Sequence, residues 1–275
     1  MNSKIYQIYY LEEQKDKLDP AFIPYDNIEN PRPELQEWYV WDKLYQQCVD
    51  ENLDYWGIIS WKFHDKTNLT GEQFVSYIEQ NPGYDVYFVN PAIVNEAVFL
   101  NGWEQGDVHH PNLSNIGTEF FEKIGYTDIS LKETVLDRNV MMFANYFVAS
   151  REFWTKLMDI SRKIFSEAED DPEFKRRVFA AGLSNYNLNK ALPNFPFIIE
   201  RLASTLIELE GYRSLPFAYS ADTLAEKYHP YVGELQSLSN LKVLINRYES
   251  DELYEIWNFY RYQFLQKNPS VLGLE

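Results

Sequence analysis

The run 103–111, WEQGDVHHP, contains residues that could act on a substrate or hold a metal ion. Glu104 and His109 can serve as acid and base, and carboxylates with neutral imidazoles can ligate Zn²⁺ or Mn²⁺. Adjacent histidines usually point in different directions, and the remaining ones, His64 and His229, form no spaced pair. We therefore favour a polar loop over a metal site, and we expect that loop to recognise an acceptor.

A cation and an ion pair are further candidates. Lys62, in the run WKFHD, follows a stretch typical of a buried strand, and a cation at the carboxyl end of a strand can meet a diphosphate. A strand-end lysine that reaches solvent explains the position equally well.

Glu200 and Arg201 lie inside an otherwise apolar run, where such residues are seldom buried without partners. One of the two side chains could face a site, and a surface ion pair is the alternative.

Asp26, Asn27 and Arg32 crowd the segment after the first predicted strand. In a Rossmann-type sheet that region approaches the nucleotide base and ribose, and Arg32 could pair with a phosphate. A turn rich in Asp, Asn and Pro explains the same composition.

Three further polar residues lie at the ends of predicted strands. Asp85 lies near the start and Asn90 near the end of the buried run YDVYFVNP (84–91), where a polar side chain could contact a ligand. Asn145 opens a later strand, where its amide could bind a sugar hydroxyl or simply make a β-bridge.

The elements that position these residues follow from hydrophobic periodicity. Strands are predicted at 4–10, 54–63, 84–91, 141–150 and 212–218. Helices are predicted at 34–49, after a cap at Asn68 or Thr70, and at 91–100, 118–124, 152–165 and 196–209, with a charged bend at 167–176. The β-α-β-α-β order of the first third predicts a mostly parallel sheet flanked by helices.

Two amphipathic helices after about residue 235 predict a C-terminal helical hairpin. The sequence therefore predicts two parts: an α/β domain at 1–230 and a helical appendage at 231–275 that packs on it.

The composition excludes several classes of function. The chain has 275 residues and a formal net charge of −17, so we expect no nucleic-acid partner. No apolar stretch reaches the length of a membrane span, and the sequence predicts a cytoplasmic protein. The single cysteine, Cys48, lies on the apolar stripe of a helix and is expected in the core. Dinucleotide-binding, P-loop and G-x-S-x-G motifs are absent.

Segments in a fixed order resemble a known family. NPRPELQEWY (30–39) precedes a helix, YWGIISWKF (55–63) follows it, and NYFVASREFW (145–154) precedes FIIERLAS (197–204). This order resembles the bacterial glycosyltransferase-like proteins of capsule and O-antigen loci, over roughly residues 4–220.

The resemblance implies a GT-A-like fold, which is a Rossmann-type sheet that binds a nucleotide-sugar at the carboxyl ends of its strands. It implies transfer of a sugar to a surface polysaccharide or glycan acceptor. Glu200 and Arg201 match a Glu-Arg pair on a helix of the family, where the acid could act as a base or bind the acceptor. Glu104 and His109 are the other catalytic candidates. The donor would bind the residues introduced above: Asp26, Asn27, Arg32, Lys62, Asp85, Asn90, Asn145 and Arg201.

The sequence departs from the family in one respect. The strand at 84–91 ends in Asn-Pro and not in the D-x-D pair that holds a divalent metal. Dependence on Mn²⁺ or Mg²⁺ and metal-independent chemistry therefore both stay open, as do the oligomeric state and peripheral attachment to the inner membrane through partners. The alternatives in function are a catalytically inactive protein of this fold that binds glycans or partners, and another sugar-modifying enzyme.

Overall fold

The computed structural model describes residues 2–127, 129–184 and 187–272, and only the backbone within 181–191. Its strands are β1 (Ser3–Tyr9), β2 (Ile23–Asp26), β3 (Tyr55–Ser60), β4 (Val86–Phe88), β5 (Phe147–Ser150), β6 (Ala181–Ser184), β7 (Asn187–Pro193) and β8 (Ser214–Pro216).

The helices of the first half are α1 (Glu37–Asp50), α2 (Phe63–Thr67), α3 (Gly71–Gln80), α4 (Ile93–Val98), α5 (Gly102–His109) and α6 (Leu113–Lys123). Those of the second half are α7 (Arg151–Asp170), α8 (Pro172–Phe179), α9 (Phe195–Glu210), α10 (Ala221–Tyr228), α11 (Val232–Tyr248) and α12 (Asp251–Lys267). Short 3-10 helices occupy Glu12–Lys17, Pro33–Leu35 and Pro269–Leu272.

The chain divides into two compact units, each assembled from separate segments. Unit 1 comprises Met1–Pro91, Met142–Phe179 and Phe195–Phe217. Unit 2 comprises Ala92–Met141, Ala180–Asn194 and Ala218–Glu275.

Unit 1 contains a six-stranded sheet with the order β2-β1-β3-β5-β4-β8. Five of its strands are parallel to one another, and β5 runs antiparallel between β3 and β4. The predicted α/β class with a mostly parallel sheet and flanking helices is therefore confirmed. Gly57 in β3 permits this pairing, because a Cβ there would lie 2.8 Å from the carbonyl oxygen of Phe147.

Alternating side chains distribute the helices over both faces of the sheet. Phe147 packs against Trp41 of α1 and Trp154 of α7. The preceding residue, Tyr146, points the other way and packs edge-on against Phe63 of α2. Helices α1 and α7 therefore cover one face, and α2 covers part of the other.

Buried tryptophans fasten the first of these faces. The rings of Trp56 and Trp154 stack with centroids 5.7 Å apart, and the Trp154 indole N–H donates to the carbonyl oxygen of Trp56. Buried aromatic rings of this kind form much of the core.

Unit 2 is mainly helical, with the two-stranded β6–β7 sheet. Helices α11 and α12 form the predicted hairpin, and α11 packs on α4. The Trp257 indole N–H of α12 donates to the carbonyl oxygen of Ala97 at 3.1 Å. The hairpin thus belongs to the same compact unit as α4, α5 and α6.

Several local predictions were wrong. The segment 103–109, expected as a loop, is helix α5, because the side chain of Asn101 accepts hydrogen bonds from the backbone N–H groups of Trp103 and Glu104 and so caps a helix. The charged bend expected at 167–176 is instead the end of α7 and the start of α8. Strand β2 occupies a segment expected as polar turns. The cap expected at Asn68 or Thr70 is Thr70, which accepts from the N–H of Gln73.

Across the described residues, no helix is both long and apolar enough to cross a membrane.

Candidate active site at the carboxyl edge of the sheet

The direction of the strands gathers several polar residues of unit 1. Strands β1, β2, β3, β4 and β8 share one direction, so their carboxyl ends lie at one edge, where the opposing β5 begins. We call this the carboxyl edge. The predicted site residues that follow or precede strands there are Asp26, Asn27, Lys62, Asn90 and Asn145.

Two glutamates meet the segment that leads into β5. The side-chain N–H of Asn145 donates to Glu37 at 3.1 Å, and the backbone N–H of Ala144 donates to Glu200 at 3.1 Å. Glu37 is the first residue of α1, and Glu200 lies in α9. We call Glu37 and Glu200 the carboxylate pair.

Backbone strain is concentrated around this pair. Gln36 has φ 52°, Ala144 has φ 66° and Asn145 has φ 54°, all in the left-handed region that L-residues rarely adopt. These three residues directly precede Glu37 or contact the carboxylate pair. Strain of this kind persists where the surroundings hold it, and it clusters at functional sites.

The strain can be tested at Ala144. We expect Ala144→Gly to raise the free energy of unfolding by about 0.5–1 kcal/mol, because glycine adopts positive φ without a steric penalty. The backbone N–H that binds Glu200 is kept. The matched control is Ala149→Gly in β5, where the same change in extended backbone should be destabilising. Urea unfolding measures the free energy of unfolding of both variants. If it changes with the same sign in both, the backbone at Ala144 is not strained.

The electrostatics of the pair favour proton transfer near neutral pH. The pKa of Glu37 is raised to about 7, mainly by burial of the carboxyl and in smaller part by the negative charge of Glu200. The hydrogen bond from Asn145 and the charge of Lys66 act in the opposite direction. A carboxyl group with this pKa exists in both protonation states at neutral pH, which is what a general acid or base requires.

Aromatic rings and lysines lie together at the same edge. Trp61 directly follows β3, and the ammonium groups of Lys17 and Lys62 lie 4.8 and 5.3 Å from its ring centroid. The ring of Tyr10 meets Trp61 edge-on at 6.5 Å. We call these four residues the Trp61 platform. In a chain of net charge −17, it offers a flat ring and two cations, which suits a ligand with an aromatic base and phosphates.

Helix α2 connects the platform with the carboxylate pair. Lys62 precedes the helix, and Lys66 lies one turn further along it. The Lys66 ammonium is 5.9 Å from the ring centroid of Tyr146, whose hydroxyl lies 3.0 Å from that of Ser60. Because Lys66 also lowers the pKa of Glu37, the two groups share one electrostatic environment.

Asp26 is exposed at the end of β2. Hydrogen bonds from the backbone N–H of Ile28 and from the Tyr9 hydroxyl hold the pKa of this carboxyl below its ordinary value. The backbone N–H of Asn27 donates to the carbonyl oxygen of Tyr9. Both residues therefore lie at the carboxyl edge, next to the end of β1.

Three residues that were predicted to bind the donor make structural contacts with neighbouring protein groups instead. Asp85 lies at the opposite edge, where its carboxylate accepts from the backbone N–H of Arg213 at 2.9 Å. Arg32 is exposed and paired with Glu34. Arg201 is buried and donates to the carbonyl oxygen of Phe197 at 2.7 Å. The contacts of these residues fix local structure.

Glu104 and His109 belong to α5 in unit 2. Glu104 accepts from the backbone N–H of Leu100 at 2.5 Å and from the Arg261 guanidinium at 2.9 Å, so it ties α5 to α12. His109 is buried on the same helix. Within the described parts of the chain, no three or more His, Cys, Asp or Glu residues form a group that could hold a metal ion.

Sequence reasoning missed Glu37, Trp61 and Lys17. The signal for Trp61 was its position after a buried strand, directly before Lys62. Glu37 looked like an ordinary acid in the first turn of a helix. Only its contact with Asn145, 108 positions away in the chain, distinguishes it.

Comparison of the chain with protein-family models, with curated proteins and with solved structures finds no match.

Proposed function

We propose that unit 1 is a glycosyltransferase that moves a sugar from a nucleotide-sugar donor to a hydroxyl group of a surface polysaccharide or other glycan. One observation carries the proposal: Glu37, with a pKa of about 7, lies against Asn145 and beside Glu200 at the carboxyl edge. A GT-A-like arrangement of the sheet is part of the proposal, supported by the mostly parallel strands of unit 1.

Sugar transfer needs a base that removes the proton of the acceptor hydroxyl. It also needs positive groups that offset the negative charge on the departing diphosphate. Glu37 takes the proton of the acceptor hydroxyl while its oxygen attacks the anomeric carbon. The bond from that carbon to the donor phosphate breaks, and its electrons leave with the nucleoside diphosphate. Lys17 and Lys62 offset the charge on the diphosphate, and the Trp61 ring stacks on the base. Glu200 adds to the proton affinity of Glu37 and accepts a hydrogen bond from the backbone N–H of Ala144.

The first experiment is a thermal-shift panel of nucleoside diphosphates and nucleotide-sugars, each with Mn²⁺, with Mg²⁺ and with chelator. One nucleotide series should raise the melting temperature, because a ligand that binds only the folded state stabilises it. The released nucleoside diphosphate is then measured with glycan acceptors. Stabilisation by oligosaccharides without any nucleotide would favour the non-catalytic glycan-binding alternative instead.

The Trp61 platform gives a sharper test of donor binding. We expect Trp61→Ala to weaken nucleotide binding by about tenfold or more, because stacking of a base on an aromatic ring contributes about 1–3 kcal/mol. Isothermal titration measures the change. The control is Tyr84→Ala, since Tyr84 is also partly exposed and lies beside a cation, Arg213, but at the opposite edge. Equal losses in both variants would remove the platform from the proposal.

A further inference from the structure

Helix α12 carries an unusual share of the exposed large hydrophobic side chains. Ile256, Phe259, Tyr260 and Tyr262 are exposed by 43, 60, 57 and 58%. Proteins that act as monomers rarely present large contiguous apolar surface, and such surface marks sites of association.

One side of α12 forms a groove with α11. The groove has a volume of about 770 Å³, and its floor includes the buried Leu238 and Phe264. Exposed Ile256 and Tyr260 stand along it, and Leu241 completes the apolar wall. The seam of the helical hairpin is thus open on this side and can accept another helix.

This side of α12 has an acidic residue at its amino end and a basic residue at its carboxyl end. Glu252, Ile256, Tyr260, Gln263 and Lys267 follow one another at helical spacing, so they form a single stripe. The stripe begins with an acid, has apolar residues near its centre and ends with a base. We call it the α12 stripe.

We propose that the α12 stripe is a homodimer interface in which the helix of a second copy lies antiparallel along the hairpin groove. An antiparallel pairing puts Glu252 of each copy beside Lys267 of the other, so two opposite-charge pairs form. Ile256 then faces Gln263 of the second copy, and the two Tyr260 side chains meet near the two-fold axis. A surface that is complementary to itself in this way is what an isologous dimer requires.

The charge pattern of the α12 stripe favours a second copy of the chain over anionic lipid or nucleic acid. A net charge of −17 opposes docking of the groove on anionic lipid or nucleic acid. The stripe itself contains one acid and one base, and these are satisfied by a copy of the same stripe in reverse order. The proposal is independent of glycosyl transfer.

The first test is the molar mass of the full chain by sedimentation equilibrium from 1 to about 100 μM. We expect a monomer–dimer equilibrium within this range. Tyr260→Asp should weaken dimerisation by about 100-fold, because it puts two carboxylates near the two-fold axis. Tyr262→Asp is the matched control, since this tyrosine is equally exposed but points about 200° away around the helix. A wild-type monomer throughout, or equal effects of the two variants, would overturn the proposal.

Charge exchange tests the direction of pairing. Lys267→Glu and Glu252→Lys should each weaken the dimer by about tenfold, because each creates two like-charge pairs. The double variant E252K/K267E should regain dimerisation, and circular dichroism of every variant verifies that α12 is intact. Failure of the double variant to recover, with the helix intact, would exclude the antiparallel register.

A cysteine at the two-fold axis gives a second, covalent readout. Tyr260→Cys should form an intermolecular disulfide under mild oxidation, and Tyr262→Cys should not. The native Cys48 is buried and does not interfere. Equal cross-linking at both positions would contradict the proposed interface.

Discussion

Glu37→Gln is expected to lower the rate of sugar transfer by about 100-fold or more and, above neutral pH, to make the protein more stable. The amide cannot accept the acceptor proton, and loss of a general base typically costs two to four orders of magnitude in rate. Its carbonyl oxygen still accepts from Asn145, and the repulsion from Glu200 is removed. Nucleoside diphosphate release and urea unfolding are the two measurements.

The pH dependence of the stability effect follows from the raised pKa. Below the ordinary value of 4.5 the carboxyl is protonated in both the folded and the unfolded chain. Between 4.5 and about 7 only the folded state keeps the proton, so the contribution of Glu37 to the free energy of unfolding falls as the pH rises. Above about 7 the full penalty is present. After allowance for solvent screening of this partly exposed residue, we expect Glu37→Gln to gain about 2 kcal/mol at pH 8.5 and almost nothing at pH 4.5.

Two variants control this prediction. Glu79→Gln changes an exposed glutamate on α3 and should leave both activity and its pH dependence unchanged. Glu200→Gln removes the neighbouring charge, so the acidic limb of the activity profile should move to lower pH. An active Glu37→Gln enzyme with an unaltered pH profile would show that Glu37 is not the base.

Lys242→Met is expected to have the largest effect on stability, a loss of about 3 kcal/mol or more. The Lys242 ammonium is fully buried in unit 2 and donates to the carbonyl oxygens of Glu96 and Phe99 at 2.6 and 2.7 Å. The Glu96 carboxylate, also buried, lies 3.7 Å from it. Removing one partner of a buried ion pair leaves an uncompensated charge and unsatisfied carbonyl groups.

The pair Lys242 and Glu96 can be examined by a double-mutant cycle in urea. The variant K242M/E96Q should recover part of the loss, because the remaining buried carboxylate becomes neutral. Lys43→Met, an exposed lysine on α1, is the control and should change stability by less than about 0.5 kcal/mol. A similarly small change for Lys242→Met would mean that the buried ammonium contributes little to holding α11 on α4.

The class of fold could be predicted from the sequence because its signals are local. Alternation and apolar runs located β1, β3 and β4, and the helical spacing of 196–209 located α9, which ends before Gly211 with φ 69°. The antiparallel direction of β5 and the edge strand β2 could not be predicted, because strand pairing depends on residues far apart in the chain. Helix α5 was missed since its stability depends on the Asn101 cap and on burial of Trp103.

The candidate site could be predicted in part for the same reason. The positions of Lys62 and Asn145 at strand ends are visible in the sequence, and the strand directions bring them to one edge. The proton affinity of Glu37 is a product of tertiary burial and of a neighbouring charge, and neither has a local signal. The left-handed backbone at Ala144 likewise lacks the glycine that usually marks such a position.

The interleaving of the two units along the chain has a consequence for folding on the ribosome. The sheet of unit 1 is incomplete until β8 has been synthesised, and the last segment of this unit ends at Phe217. In unit 2, the carbonyl oxygen of Glu96 in α4 gains its hydrogen bond from Lys242 only after that residue has been synthesised. Folding of either unit during translation is therefore delayed until late in synthesis, and the nascent chain exposes much apolar surface in the meantime. We expect a strong dependence on chaperones, and we expect a fragment ending at residue 230 to be degraded where the full chain accumulates.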